Sequence, residues 1–467
     1  MNQRLVLALV YIAVLFLDRL DVTIINVITP AIAKELGKSV LEVEWVSTAF
    51  ILALAVTMPI TAWFEKKAGS RNTFLSALFL FTISSFLCYL STTLHTLIFF
   101  RILQGIGTGI LLPVGMGMIY RVFTKNEYAH VANYTLMPTL LAPAFAPVLG
   151  GVFAEFLDWR YIFLINIPVG ICAILFTFFF ISDIKTTQTN STPPLDLWGF
   201  ILISTGLVCL FYSFNLISKF GLSNSMAHIY GASFFVLFIC FIIRQKRAKH
   251  PLINISFFKI PLFSQSHIMV FCLQCCYYGS VFLITLYLQL CIGMEPVIAG
   301  VTMLPQAVGT ILMLPVSAWM FKRFGPKSPF IMGFIGIGAS NLLLLTIQTP
   351  HDVILAGSIL FFRGMAISFL NGSTQASCML DIPKEDTTKA GIIFNSTRQI
   401  AIGFGIVLSS ICLSFHGTNL NIKTDFLSKH IFENTFLVFT GIALLGMIVA
   451  CTVNNKHVLE KIKETGS

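Results

Sequence analysis

Apolar runs of about 20 residues follow one another along almost the whole chain, separated by short stretches of charged or turn residues. Because an α-helix rises 1.5 Å per residue, about 20 apolar residues suffice to cross the hydrocarbon core of a bilayer. The 467-residue chain is 56% hydrophobic and 11% charged, whereas soluble domains carry about 25% charged residues. The sequence therefore predicts an all-α polytopic membrane protein.

The apolar runs predict fourteen membrane-spanning helices in groups of six, two and six. Short basic turns recur at matching places in the first and last groups, which indicates an internal repeat like that of many secondary transporters. We therefore divide the chain into an N-terminal six-helix half (1–182), two extra spans with linkers (183–263), a C-terminal six-helix half (264–454) and a cytoplasmic tail (455–467). The predicted spans are 5–29, 43–64, 73–93, 97–119, 130–153, 161–182, 197–217, 228–243, 264–290, 297–320, 329–347, 352–379, 389–414 and 432–453.

The distribution of Lys and Arg among the loops predicts how the helices lie in the membrane. Both termini lie on one face if the number of spans is even, and that face then carries 20 of the 30 Lys and Arg residues, while the opposite face carries six. Cytoplasmic loops are enriched in basic residues, so both termini are predicted to be cytoplasmic. The basic excess thus has a topological cause, and no nucleic acid is expected as a partner.

Three charged residues, Asp18, Arg19 and Asp21, interrupt the first apolar run. The apolar segments on either side are each too short to span a bilayer, so the charges must lie within the span. Each charge near the centre of a spanning helix costs about 2.5 to 3.5 kcal/mol on insertion scales. Asp18 and Asp21 share one side of the helix, whereas Arg19 points elsewhere. Two interpretations fit: a proton-titrating carboxylate that faces an internal cavity, or a structural ion pair between helices.

The fourth predicted span carries Arg101 and, one turn later, Gln104. Arginine cannot lose its charge, so Arg101 requires a carboxylate, a carbonyl or water beside it. If a titrating acid lies close by, Arg101 couples the proton affinity of that acid to the distance between two helices. The alternative is an arginine that bonds to neighbouring backbone and only holds helices together. Gly105 and Gly109, four residues apart, predict close packing against another helix.

The fifth predicted span contains a high density of helix breakers, among them Pro143, Pro147, Gly150 and Gly151. Proline removes a backbone hydrogen bond and bends a helix, while small residues allow a neighbouring helix to approach closely. The pattern suits a hinge helix that rocks against a partner. It also suits a kinked helix that does not move.

Four motifs stand in order along the chain: residues 20–27 (LDVTIINV), 101–105 (RILQG), 147–151 (PVLGG) and 159–170 (WRYIFLINIPVG). In this order and in these spans, they resemble the signatures of the fourteen-span drug:proton antiporters of the major facilitator superfamily. The resemblance covers nearly the whole chain. It implies the major facilitator fold, with two six-helix halves and two extra central helices.

The resemblance also implies roles for single residues. Asp21 would be the membrane-embedded acid of the first span, and Arg101 would be the coupling arginine of the fourth. The prolines and glycines of the fifth span would form the antiporter hinge. Asp18 is an addition to the motif, and a second proton-coupling site is one of its open roles. In the loop after the second span, Lys66 occupies the position where the family has an aspartate, and Glu65 precedes it.

Other polar residues within the spans are candidates for lining a substrate cavity. Asn395 and Arg398 are one turn apart and share a face of the thirteenth span. For each candidate the alternative is a hydrogen bond between helices. The substrate-binding candidates are Asn26, Gln104, Gln289, Asn371, Asn395 and Arg398.

Together these features predict a transporter and not an enzyme, because no nucleotide-binding loop, nucleophile constellation or metal-like cluster accompanies them. We expect a proton-coupled antiporter that exports amphipathic or cationic small molecules across the bacterial inner membrane by alternating access. The proton gradient would supply the energy, and no cofactor is expected. An exporter of one endogenous metabolite, such as a siderophore, and a non-transporting membrane receptor are the alternatives. The periplasmic loops are short, so a tripartite assembly would need a periplasmic adaptor protein.

Overall fold

All the regular structure in the described part of the chain is helical, as the apolar runs predict. The computed structural model describes residues 3–38, 40–43, 45–135, 142, 149, 153, 158–182, 194–221, 223–249, 251–294, 296–414 and 429–464. Short 3-10 or π turns interrupt or extend some of the helices.

The helices follow the predicted spans closely, and we number them α1 to α15 in chain order. Of the fifth span the structure describes a helical segment at 128–135, which is α5. The others are α1 Gln3–Leu36, α2 Trp45–Ala68, α3 Ser70–Tyr89, α4 Leu94–Val122, α6 Tyr161–Phe180, α7 Leu197–Phe220, α8 Ser225–Arg247, α9 Pro261–Leu286, α10 Pro296–Phe324, α11 Lys327–Leu343, α12 Val353–Leu380, α13 Thr387–Ser414, α14 Lys429–Cys451 and α15 Asn455–Glu464.

Twelve helices of the described residues are long and apolar enough to cross a membrane: α2 to α4 and α6 to α14. Helix α1 has 34 residues, which is ample length, but its internal charges prevent its identification by apolarity alone. Most of the fifth predicted span lies outside the described residues. The total of fourteen spans therefore stays a prediction.

The helices pack in two groups and a pair. Helices α1 to α4 and α6 pack together, and we call them the N-terminal bundle. Helices α9 to α14 pack together as the C-terminal bundle, with α10 along α12 and α9 along α13. The pair of α7 and α8 touches both bundles, because α7 contacts α2 and α13. Helices α4 and α13 join the two bundles directly.

The first and the last described helices, α1 and α15, have contacts at the same end of the bundle. The Gln3 amide at the start of α1 donates to the carbonyl oxygen of Ser182, just past α6. Arg71 at the start of α3 donates to the carbonyl oxygen of Phe178 in α6 at 2.6 Å. Helix α15 contacts α10 and the turn 125–127 that follows α4. We call this end of the molecule the termini end.

The C-terminal tail contains a short amphipathic helix, α15, which lies outside the predicted spans. Val458 and Ile462 are four residues apart and buried against the bundle. On the other side, Lys461 Nζ lies 2.5 Å from Asp381 Oδ1, and His457 Nε2 lies 3.2 Å from the same oxygen. The tail is therefore anchored to the residue that follows α12.

Gly105 and Gly109 let α4 lie directly against α2, as their spacing predicts. A Cβ atom built at Gly109 would lie 2.6 Å from the carbonyl oxygen of Leu54 and 3.1 Å from Thr57 Cβ. At Gly105 the nearest atom would be the carbonyl oxygen of Phe50. Larger residues would force the two backbones apart, so the close contact requires glycine at both positions.

Gly109→Ala is expected to push α4 away from α2 and to destabilise the protein by about 1 to 3 kcal/mol, the usual cost of overpacking. The melting temperature of the purified protein in detergent measures this effect. Gly441→Ala is the matched control, because Gly441 lies within α14 and an added Cβ would meet nothing within 4 Å. Equal melting temperatures for the two variants would show that the close approach of α2 and α4 is dispensable.

Candidate functional site

Five buried side chains of the N-terminal bundle form a closed ring of hydrogen bonds that includes the carboxylate of Asp21. Arg101 Nη1 donates to Asp21 Oδ2 and, at 2.7 Å, to Gln104 Oε1. The Gln104 amide donates to Ser85 Oγ at 2.8 Å. Asn166 Nδ2 lies 3.3 Å from both Ser85 Oγ and Asp21 Oδ1, which closes the ring. We call these five residues the polar ring.

The polar ring joins four helices. Asp21 lies on α1, Ser85 on α3 and Asn166 on α6, while α4 supplies both Arg101 and Gln104. The two α4 residues are three positions apart and therefore share a face of the helix. All five residues are buried. Because an unsatisfied polar group at this depth is costly, each member of the ring fixes the position of the next.

Arg101 is also held by groups outside the ring. Its Nε donates to the carbonyl oxygen of Val46 on α2 at 3.2 Å. The guanidinium lies 4.2 Å from the centroid of the Phe50 ring and 6.0 Å from that of Phe163, where the face of an aromatic ring attracts a cation. Among the described residues, Asp21 is the carboxylate that neutralises Arg101. Helices α1, α2 and α4 are thus tied to one charge.

Asp18 lies one turn before Asp21 on α1, but its environment is very different. The residue is 2% exposed, yet neither of its carboxylate oxygens has a hydrogen-bond partner among the described residues. Asp18 Oδ2 lies 3.2 Å from Arg19 Nε without the alignment of a hydrogen bond. Asp21 is therefore a fully bonded carboxylate, and Asp18 is an unbonded one.

Arg398 approaches Asp18 from the C-terminal bundle. It lies on α13, is 8% exposed, and interacts electrostatically with both Asp18 and Arg19. One turn earlier on α13, Asn395 Nδ2 lies 3.6 Å from Met116 Sδ of α4, which places this face against the N-terminal bundle. We call Asp18, Arg19 and Arg398 the central charge cluster. It lies between the two bundles, whereas the polar ring lies within one.

The described residues thus bring the predicted site residues together in two places, with Asp21, Arg101 and Gln104 in the ring and Asp18 and Arg398 in the cluster. Asn371 lies elsewhere, on α12, and accepts a hydrogen bond from Gln274 of α9 at 3.3 Å. The remaining predictions fall outside the described part of the structure: the side chains of Asn26 and Gln289, and the hinge residues Pro143, Pro147, Gly150 and Gly151.

Two members of the polar ring, Ser85 and Asn166, were not among the predicted site residues. Asn166 lies in the motif 159–170, where an amide within an apolar helix was the available hint. Ser85 directly follows Ser84, whose hydroxyl bonds to the carbonyl oxygen of Leu80 in its own helix. Nothing in the sequence distinguishes these two serines, because only the packing of α3 decides which of them faces Gln104.

The C-terminal bundle has a counterpart of Arg101 but no counterpart of Asp21 in the described residues. Arg363 lies on α12, fully buried, and its Nη1 donates to Asn341 Oδ1 at 2.5 Å and to Ser340 Oγ at 3.2 Å. Its Nη2 lies 3.3 Å from the carbonyl oxygen of Cys276 on α9. Neutral acceptors hold this arginine, so the arrangement cannot respond to protonation in the way that a carboxylate can.

Arg121 joins the two bundles at the termini end. Its Nη1 lies 2.5 Å from Glu65 Oε1 at the end of α2. From the same guanidinium, Nε donates to the carbonyl oxygen of Lys384 at 3.0 Å, and Nη2 contacts the carbonyl oxygen of Glu385 and the hydroxyl of Thr388. These partners belong to the start of α13 and the turn before it. The Arg121 contact therefore closes the termini end between the bundles.

Glu65, one residue before the position where the resembling family has an aspartate, supplies the acid of this contact. The Ser70 hydroxyl lies 2.7 Å from both Glu65 Oε1 and Arg121 Nη1, which fixes the carboxylate toward the arginine. The helical turn at the end of α2 decides which of two adjacent side chains points inward, and here it is Glu65 rather than Lys66.

In the described residues, apolar helices form two bundles that meet at one end and enclose a buried ion pair, an architecture typical of a polytopic membrane transporter. The chain belongs to the Major Facilitator Superfamily, whose family model matches residues 11–406. The protein is accordingly a membrane transporter and not an enzyme.

Similar proteins agree with this assignment. Two proteins named multidrug resistance protein MdtD, from Salmonella paratyphi A and Salmonella typhi, are each 28% identical to this chain over 441 residues. Each match covers 94% of this chain and 93% of the relative. The crystal structure of the human organic anion transporter MFSD10 (TETRAN) has a TM-score of 0.66 at 13% identity, over 96% of this chain and 100% of that one. At this identity the likeness shows the fold alone.

Arg121→Gln is expected to open the termini end more often, because it removes the ion pair to Glu65 and weakens the contact with α13. Cys378 is a native reporter: it is buried two residues before the end of α12, and the residue after α12, Asp381, pairs with α15 at the termini end. We expect a several-fold faster reaction of Cys378 with a hydrophilic maleimide, measured by peptide mass spectrometry.

Glu65→Gln should act in the same direction as Arg121→Gln, since it removes the other half of the pair. Lys322→Gln is the control, because it removes a cation from the same end without touching the Arg121 contact. If Cys378 reacts at the wild-type rate in both test variants, the contact does not hold this end closed.

Proposed function

We propose that the protein is a proton-coupled antiporter that exports amphipathic or cationic small molecules across the bacterial inner membrane. In this proposal the chain has fourteen spans in two six-helix halves with two extra central helices. Both termini lie in the cytoplasm, which is supported by the 20 Lys and Arg residues on that face against six on the other. The proton gradient supplies the energy without a further cofactor. The names of the MdtD relatives support export of drug-like molecules.

The observation that carries the proposal is the buried pair of Asp21 and Arg101 inside the polar ring. A proton and Arg101 compete for the same carboxylate, because a protonated Asp21 no longer compensates the guanidinium. Breaking one partner of a buried ion pair costs about 3 to 5 kcal/mol, which is enough to shift a balance between two conformations. Protonation would therefore change the relative stability of two arrangements of the N-terminal bundle.

The polar ring offers a route from this proton to the movement of helices. Protonated Asp21 would release Arg101 toward Gln104. The hydrogen bond between Asp21 and Asn166 on α6 would also change. Because these residues lie on different helices, the loss of one charge alters the packing of α1 against α4 and α6. In an alternating-access cycle, protonation from outside would favour substrate release, and deprotonation to the cytoplasm would reset the carrier.

The Arg121 contact fits one stage of such a cycle. With both termini in the cytoplasm, the closed termini end is the cytoplasmic end, and Asn133 supports this closure by donating to the carbonyl oxygen of Leu314 on α10 at 2.6 Å. A carrier closed toward the cytoplasm is in the stage at which an exporter releases its substrate and receives protons from outside. Return to the other stage requires the Arg121 contact to break.

Asp21→Asn is expected to abolish transport driven by a pH gradient, because the amide has a similar size but cannot take up a proton. Proteoliposomes with an imposed gradient and a fluorescent amphipathic cation measure this coupling, and dye binding in detergent shows that the protein is folded. Asp381→Asn is the matched control, since Asp381 lies at the termini end and pairs with α15. An Asp21→Asn protein that still couples dye movement to the gradient would refute the proposal.

Asn166→Leu is expected to slow gradient-driven transport about tenfold, because it removes the contacts from α6 to Asp21 and Ser85 and opens the polar ring. A hydrogen bond to a charged group contributes about 1.5 to 3 kcal/mol, and about 1.4 kcal/mol corresponds to a tenfold change in rate. The initial rate of dye transport in proteoliposomes measures this effect, with Ser84→Ala as the control from outside the ring. A wild-type rate in the Asn166→Leu protein would contradict the role of Asn166.

A further inference from the structure

The central charge cluster is not electrically balanced. It contains one carboxylate, that of Asp18, and the two guanidinium groups of Arg19 and Arg398. Arg398 has no carboxylate within ion-pair distance among the described residues. Buried charges are normally paired, because an uncompensated charge in a medium of low dielectric constant is costly. One positive charge of the cluster therefore lacks a negative partner.

The neighbouring residues do not supply this negative charge. The nearest other acid on α1 is Asp21, and it is already bonded to Arg101 and Asn166. The fifth predicted span, 130–153, lies mostly outside the described residues, but its sequence contains no Asp or Glu. Since neither the described residues nor the fifth predicted span offers a further carboxylate to Arg398, this guanidinium is available to a negative group on a bound molecule.

The cluster lies where a transported molecule would pass between the two bundles. The Tyr11 hydroxyl of α1 donates to the carbonyl oxygen of Leu112 on α4 at 3.0 Å, and Asn395 of α13 contacts Met116 on the same helix. Both α1 and α13 start at the termini end and run in the same direction. Asp18 lies two turns beyond Tyr11, and Arg398 lies one turn beyond Asn395. Asp18 and Arg398 thus lie well inside their helices, on the side where α1 and α13 meet α4.

Asp18 adds a second requirement. Its two carboxylate oxygens are buried and have no hydrogen-bond donor in the described part of the chain. A ligand that satisfied the whole cluster would bring an anionic group for Arg398 and a donor for Asp18. A purely cationic molecule would satisfy Asp18 but would add positive charge beside two arginines.

We propose that the central charge cluster is the substrate site and that its preferred substrates are zwitterionic amphipaths. The anionic group, such as a carboxylate, binds between Arg398 and Arg19, and a protonated nitrogen binds to Asp18. This inference rests on the proposed function and narrows its substrate class to molecules that carry a negative group. Asp21 remains the proton site, and Asp18 acts on the substrate.

The same arrangement links substrate binding to the approach of the two bundles. Arg19 belongs to α1 and Arg398 to α13, so their mutual repulsion opposes closure at this depth. An anionic group between them attracts both helices and favours the state in which they are close. A ligand shifts a conformational equilibrium only through such differential interactions. Substrates without the anionic group would therefore bind without promoting closure.

The test uses two dyes that differ in one group: a xanthene dye with a free carboxylate, which is zwitterionic, and its methyl ester, which is a cation. Binding to the purified full-length protein in detergent is measured by fluorescence anisotropy. The wild-type protein should bind the zwitterion about tenfold or more tightly, the worth of one charge-assisted hydrogen bond. Arg398→Gln should remove this preference by weakening the acid and sparing the ester.

Four further variants distinguish a specific effect of Arg398 from a loss of folding or of positive charge in general. Arg398→Lys retains the charge and should retain part of the preference. Arg19→Gln tests the second arginine, and it replaces Arg398→Gln in the binding experiment if Arg398→Gln lowers the melting temperature. Lys389→Gln is the matched control, because it removes a cation from the start of α13, where the residue pairs with Asp386, far from the cluster. Asp18→Asn should weaken the binding of both dyes.

The inference is overturned if the wild-type protein prefers the ester, or if the preference for the acid survives in both Arg398→Gln and Arg19→Gln. Transport in proteoliposomes separates this result from the proposed function. If a pH gradient drives both dyes equally in wild type and Arg398→Gln, proton coupling stands and the substrate inference fails. If the gradient drives neither dye while binding depends on Arg398 as described, the inference stands and proton-coupled transport fails.

Discussion

The pair of Asp21 and Arg101 determines how the N-terminal bundle can be arranged. Arginine keeps its charge at any physiological pH, so a guanidinium at this depth has to be surrounded by acceptors before the helices can pack. Around Arg101 the bundle places a carboxylate from α1, a carbonyl from α2, and aromatic faces from α2 and α6. Arg101 Nη2 has no hydrogen-bond acceptor among the described residues. The close contact at Gly105 brings the α2 backbone near enough to take part. The contacts that pack α1, α2, α4 and α6 together are therefore also the contacts that stabilise the charge of Arg101.

Each bundle contains one fully buried arginine, Arg101 or Arg363, but the groups around the two arginines differ in kind. Arg363 is surrounded by an amide oxygen, a hydroxyl and a backbone carbonyl, and none of these groups changes its charge with pH. Arg101 faces a carboxylate, which does. Under the proposed function, the N-terminal bundle would respond to protons, while the contacts of Arg363 in the C-terminal bundle would stay unchanged. In the proposed cycle, the movement would begin in the N-terminal bundle.

The sequence predicted the helices well because apolar length is a local property of the chain, and most of the described helices begin and end within a few residues of the predicted spans. Helix α1 is an exception, since it continues to Leu36, past the predicted end at residue 29. It also singled out Asp21 and Arg101, because charges within apolar runs are rare. It could not identify Ser85 or the lack of hydrogen-bond partners for Asp18, since both depend on which helices meet. Glu65 and Lys66 show the same limit, because one helical turn decides which of two adjacent charges faces the other bundle. The amphipathic pattern of α15 was readable from Val458 and Ile462 but lay outside the apolar runs.

Arg121 binds the C-terminal bundle largely through main-chain atoms, the carbonyl oxygens of Lys384 and Glu385. Every amino acid carries that carbonyl, so the side chains at these two positions are free to diverge while the contact persists. What has to be inherited is the path of the backbone from Pro383 into α13. Comparisons that search for correlated substitutions would overlook such a junction. Distant relatives could keep the same closure without a shared residue on one side of it.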